Sequence, residues 1–124
     1  MRLYTKDHVW VDIQGVRARA GLSDFAQEEL GEVSYVELPE RGRAVRRGEA
    51  VSAIDSLKSS SEIYAPVSGK IVEVNDRLGT DEGCGLINRD PLGEGWIFIV
   101  EMSDPEEASL LMPEKDYMEF LSKG

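Results

Sequence analysis

The chain has 124 residues, with 24 acidic against 14 basic side chains and a formal net charge of −10. That length fits one domain with a modest core, and the acidic excess disfavours nucleic-acid binding and adhesion to anionic membranes. A hydrophobic fraction of 41% beside 31% charged residues excludes a disordered chain.

The opening MRLYTKDHVW lacks the apolar core of a signal peptide. No stretch approaches the roughly 18 apolar residues of a membrane span. A cytoplasmic protein, acting as a monomer away from membranes and nucleic acid, is the expectation. Residues 9–13 alternate, with Val9, Val11 and Ile13 on one face and Trp10 and Asp12 on the other. With Gln14-Gly15 as a turn and alternation again over 16–20, they predict a β-hairpin. Asp24, with Gln27 three residues on, predicts a capped helix that carries Leu22, Phe25 and Leu30 and stops at Gly31. Residues 33–38 return to strand character. Arms at 49–54 and 62–67 flank a polar tip, and 70–74 form another strand.

Residues 79–95 hold five of the twelve glycines and Pro91, and read as a long loop. Residues 96–102 predict a central apolar strand, with Trp96 and Phe98 in the core. Asp104-Pro105-Glu106-Glu107 is a helix start, and Pro113 opens a second helix ending near Leu121. A faint echo links Gly42-x-x-Val45-x-x-Gly48 to the strand after Gly69. The resulting expectation is all-β: a flattened barrel or sandwich of short antiparallel strands with short peripheral helices. It spans 1–124 as one domain, with a helical C-terminal segment at about 104–122.

Catalytic equipment is sparse. One His and one Cys exclude a thiolate zinc cluster, a CxxC pair and an internal disulfide. No phosphate-binding glycine loop is present, and no catalytic or metal-ligating set can be named. The distinctive stretch is Asp55-Ser56-Leu57-Lys58-Ser59-Ser60-Ser61-Glu62. A lysine stands at a polar tip among small serines, bracketed by two acids. It lacks the desolvation or cationic neighbour that Schiff-base chemistry requires. It suits an enzyme that attaches something to it.

The order of motifs resembles the lipoyl-carrying H protein family of the glycine cleavage system. Tyr4-Thr5-Lys6-Asp7-His8 with Trp10 is similar to the family opening. Gly21-Leu22-Ser23-Asp24-Phe25-Ala26-Gln27 and Leu30-Gly31-Glu32-Val33 follow, then Val36-Glu37-Leu38-Pro39 and the Gly42–Gly48 segment. Next come the Lys58 tip, Tyr64-Ala65-Pro66-Val67-Ser68-Gly69 and Asn88-x-Asp90-Pro91-x-Gly93-Glu94-Gly95-Trp96. The resemblance implies a lipoyl/biotinyl-type flattened β-barrel, or barrel-sandwich hybrid. It implies lipoic acid in amide linkage on Lys58, placed there by a lipoate ligase or lipoyl transferase. The chain would be a carrier, not an enzyme, with three partners. It would take an aminomethyl group from glycine decarboxylase, present it to an aminomethyltransferase, and be reoxidised by dihydrolipoyl dehydrogenase.

The chain departs from the family at Val9, at Asp55, at Ser59 and Ser60, and over 79–85. Those departures open a second reading, a lipoate-binding carrier of sulfur intermediates serving a heterodisulfide-reductase-like complex. Asp55 and Glu62, with Glu32, are candidates for partner recognition. Cys84, between glycines, is expected to be exposed and is a candidate thiol near the arm. The ordinary role for His8 is structural; the resemblance also suggests a place near the arm's resting cleft. Residues 117–121 read as an amphipathic helix closing the barrel.

Overall fold

The computed structural model describes residues 2–123. The strands are β1 (Arg2–Tyr4), β2 (Val9–Gln14), β3 (Arg17–Leu22), β4 (Val33–Glu37), β5 (Ala44–Val45), β6 (Ala50–Ser56), β7 (Ser60–Tyr64), β8 (Gly69–Val74), β9 (Phe98–Met102) and β10 (Met112–Pro113). The helices are α1 (Asp24–Leu30), α2 (Leu86–Arg89) and α3 (Glu114–Lys123). Two 3₁₀ turns cover Asp76–Gly79 and Pro105–Leu110. The strands form two antiparallel sheets. One has seven strands in the order β10-β1-β2-β3-β9-β8-β5, the other three in the order β4-β6-β7. The expected all-β architecture stands, in the form of a flattened two-sheet sandwich that does not close into a barrel.

The predicted first hairpin is β2–β3, in register from Val9↔Leu22 to Gln14↔Arg17. Val9 and Val11 face the main core with Ala18 and Ala20, all fully buried. Trp10, on the opposite face, is also fully buried. Its indole N–H donates to the Pro91 carbonyl at 2.7 Å, and its ring stacks over Gly21 so closely that a Cβ there would lie 2.7–2.8 Å away. Trp10 thus ties the hairpin to the 88–96 segment and to a second cluster with Tyr4 and Tyr117. As expected, β9 is central, between β3 and β8, with Phe98 and Val100 fully buried. The Gly42–Gly48 segment and the strand after Gly69 meet as the β5–β8 pair.

Several expectations are corrected. The N-cap of α1 is Ser23, not Asp24. Ser23 Oγ accepts the Ala26 N–H at 3.2 Å, while Gln27 Nε2 donates to Asp24 Oδ1. Ser23 has the extended backbone that a cap requires, whereas Asp24 is already the first helical residue. Residues 79–95 are not one loop. Cys84, Leu86 and Ile87 are buried, and their burial folds the segment into α2. The segment after Asp104 is 3₁₀ and α3 extends to Lys123, two residues past Leu121. Cys84 is buried, 5% exposed, with its thiol directed at the Val33 and Asp81 carbonyls at 3.7 and 3.5 Å. A small polarisable side chain fills that gap better than solvent does.

Candidate functional site

The small sheet carries the tip. β6 runs to Ser56 and β7 starts at Ser60, so the turn is only Leu57-Lys58-Ser59. The arms pair up to the turn, ending at Asp55↔Ser60. Ser56 builds the turn. Its N–H donates to the Ser59 carbonyl at 2.8 Å, and its Oγ accepts the N–H groups of Lys58 and Ser59 at 3.2 and 3.0 Å. A serine that bonds the backbone two and three residues on is a turn former in its own right. Lys58 therefore sits mid-turn at the apex of a hairpin and is exposed. Leu57 beside it is 73% exposed, an apolar side chain offered to solvent at the apex.

The tip is tied down behind the lysine. The Leu57 N–H donates to the Glu32 carbonyl at 3.1 Å, and the Lys58 side chain lies across Gly31. Gly31 ends α1 with φ +86° and ψ −161°, a conformation open in practice only to glycine. Beside the tip runs an open groove of about 320 Å³, lined by His8, Leu22, Phe25, Ala26, Glu29, Leu30 and Ser59–Ser61. One wall is the serine run that follows Lys58. The other is the apolar side of α1 with His8.

His8 has φ +68°, unusual for a residue with a side chain. It is fixed there from several sides. Its carbonyl accepts the Ser23 N–H at 2.9 Å, and Nδ1 lies 2.8 Å from the Tyr117 hydroxyl. That hydroxyl is also 2.8 Å from Ser23 Oγ. The ring packs against Phe25 and Phe120. Burial pulls the imidazole pKa below its ordinary value, and nearby Asp7 opposes this only in part. The groove thus presents a histidine whose charged form is disfavoured.

Asp55 and Glu62 are exposed and occupy one face of the β6–β7 pair, since Glu62 opposes Ala53, two residues before Asp55. Glu32 is exposed at the base of the tip. Cys84 is buried and is not on the groove lining. Phe98 is core, and Trp96 packs on the Tyr4-Trp10-Tyr117 cluster. Among the described residues no cluster of His, Cys, Asp and Glu is arranged to hold a metal. No helix among them is long and apolar enough to cross a membrane. Sequence reasoning missed Ser56, Leu57 and the groove residues Phe25, Ala26 and Glu29 as site elements. The tip motif held the first two; the others come from a helix distant in sequence.

The family model described as Glycine cleavage H-protein matches residues 2–124. The chain belongs to that family. A glycine cleavage system H protein of Thermotoga maritima is 50% identical over 123 residues, covering 99% of this chain and 98% of the relative. One from Thermus thermophilus is 48% identical over 120 residues, covering 97% and 92%. Among solved structures, a glycine cleavage system H protein from Mycobacterium marinum superposes with a TM-score of 0.73. It shares 36% identity and covers 88% of this chain and 94% of that one. The fold and the family resemblance drawn from sequence are both upheld. The sulfur-oxidation alternative finds no support in these relatives, all of which are named for glycine cleavage.

Proposed function

We propose that the chain is a lipoylated carrier of the glycine cleavage system, that Lys58 is its attachment residue, and that residues 1–124 work as one carrier domain. The observation that carries this is the placement of Lys58. It is the exposed apex of a three-residue turn, followed by small serines and adjacent to a groove with an apolar wall. A ligase needs to reach such an amine without disturbing the core. The site fits a lipoyl group. The small side chains of Ser59 and Ser60 leave Nζ open, and Leu22, Phe25, Ala26 and Leu30 offer an aliphatic chain a surface to lie on. When bound, the group supplies a disulfide able to take up an aminomethyl unit; that chemistry belongs to the cofactor.

The chain's own residues supply position. The serine turn holds the lysine out, the groove shelters the arm's end, and His8 and Glu29 are polar groups on the wall opposite the serine run. Asp55, Glu62 and Glu32 form an acidic frame for recognition by the attaching ligase or transferase. The same frame meets the three partners: glycine decarboxylase, the aminomethyltransferase and dihydrolipoyl dehydrogenase. The chain is a substrate of those enzymes, and it works in the cytoplasm.

The test is intact mass with peptide mapping after incubation with lipoate, ATP and a lipoate ligase. A single lipoyl amide on Lys58 is expected. An unmodified chain, or modification of a different lysine, overturns the assignment.

A further inference from the structure

The Asn88–Trp96 motif is unusual in sequence, yet none of its residues lines the groove. Its first residue reaches the ground beneath Lys58. Asn88 Oδ1 accepts the Val33 N–H at 2.8 Å, and Nδ2 donates to Gln27 Oε1 and to the Gly31 carbonyl, both at 2.9 Å. An asparagine amide offers two donors and two lone pairs, so three of its four positions are used. One side chain therefore joins α2 to the end of α1 and the start of β4. The stretch so held bears the tip. The Glu32 carbonyl takes the Leu57 N–H, and a Cβ on Gly31 would lie 3.2 Å from Lys58 Cε, 3.8 Å from Cδ and 3.9 Å from Cγ. The lysine stem thus runs over the one residue in this stretch that has no side chain. The rest of the motif holds Asn88 in turn. Asp90 Oδ2 accepts the Glu94 N–H at 2.9 Å, and the Pro91 carbonyl takes the Trp10 indole.

We propose that Asn88 is a positioning residue for the carrier arm: it fixes the Gly31 backbone as an empty seat for the Lys58 methylenes, so that the arm starts beside Leu30, at the edge of the groove. This rests on Lys58 being the attachment residue.

The variant Asn88→Asp separates seat from scaffold. Aspartate keeps an oxygen for the Val33 N–H but turns the donor that faces Gly31 into an acceptor. Gln27 turns its amide toward the new carboxylate only by giving up its donation to Asp24 Oδ1; the Gly31 carbonyl cannot turn at all. Protonation of the introduced carboxylate returns one donor.

The experiment uses the unmodified full chain with carbon-13 lysine and glycine. It measures the nuclear Overhauser cross-peak between the Lys58 Cε protons and the Gly31 Cα protons. The wild type is expected to show it at every pH tested. Asn88→Asp is expected to lose most of it at neutral pH. The cross-peak should recover as the carboxyl takes up its proton, above the ordinary aspartate range, because the facing Gly31 carbonyl disfavours the charged form. Asn88→Ala is expected to lose it at every pH. A wild type without the cross-peak overturns the proposal, as do folded Asn88 variants that keep it at full intensity. The wild-type result is decisive even if a variant does not fold. Ligase treatment read by mass distinguishes the two levels. A lipoylated Lys58 with no Gly31 cross-peak removes the seat and leaves the carrier; an unmodified Lys58 with the cross-peak does the reverse.

Discussion

At the scale of single residues, the proposed attachment site is a lysine made accessible by its neighbours. The Ser56 hydroxyl satisfies two backbone N–H groups inside the turn, so the apex needs nothing from the Lys58 side chain to hold its shape. Lys58→Arg is therefore expected to fold with stability within about 0.5 kcal/mol of the wild type, as for ordinary surface changes. Ligase treatment should leave its mass unchanged, since a guanidinium does not form the amide. A denaturation curve and an intact mass check both halves. His8 makes a second prediction. Its folded pKa is depressed by burial below the ordinary histidine value, so the folded state binds fewer protons than the unfolded chain. The contribution to stability is then complete above about pH 6.5 and declines as pH falls below it, until the depressed folded value is passed. His8→Gln, which cannot titrate, should flatten this slope. Urea midpoints for both proteins between about pH 7.5 and 5.5 measure the difference. Parallel curves would remove the linkage.

Among the elements, α3 is the distant support of the groove. Its Tyr117 is 2% exposed, stacks on Tyr4 with centroids 4.3 Å apart, and places its hydroxyl between His8 and Ser23. Tyr117→Phe keeps the stack and removes the bridge, which should cost about 1–2 kcal/mol because buried Ser23 and half-buried His8 each lose a hydrogen bond. Chemical denaturation gives that loss, and an unchanged midpoint would mean that the rings alone hold the helix. Nothing local in the sequence announces this bridge, since its three residues come from three separate segments. What was legible has local causes. The β2–β3 hairpin, the central β9 and the Lys58 tip are written in alternation, turn residues and a serine run. The Asn88 motif was legible as a pattern, but its role was not, because its partners Gln27, Gly31 and Val33 lie more than fifty residues away. The buried Cys84 was misjudged for a related reason. Flanking glycines look like a solvated loop, while the packing of Leu86 and Ile87 carries the thiol inward. Ser23 displaced Asp24 as the cap by a single residue, the usual uncertainty at a helix end.

The whole molecule places its two sheets in different roles. The seven-stranded sheet and the Tyr4-Trp10-Tyr117 cluster anchor the fold, while the three-stranded sheet lifts Lys58 to an edge bordered by Glu32, Asp55 and Glu62. A carrier must meet several enzymes and leave each of them, so long-range attraction serves it better than tight contact. Charge on a chain of net −10 acts mostly on encounter, through the association rate, and is screened over about 10 Å at 0.1 M salt. The carboxylates at the tip should therefore count for more than equal charge elsewhere. Neutralising Glu32, Asp55 and Glu62 together as amides is expected to slow association with the lipoate ligase several-fold at low salt and to change dissociation little. The same treatment of Asp104, Glu106 and Glu119, exposed positions beyond β9 and on α3, should have a much smaller effect. Stopped-flow association at two ionic strengths separates the cases. If both triple variants slow equally, the acidic surface acts only through net charge, and the tip carboxylates hold no special place in recognition.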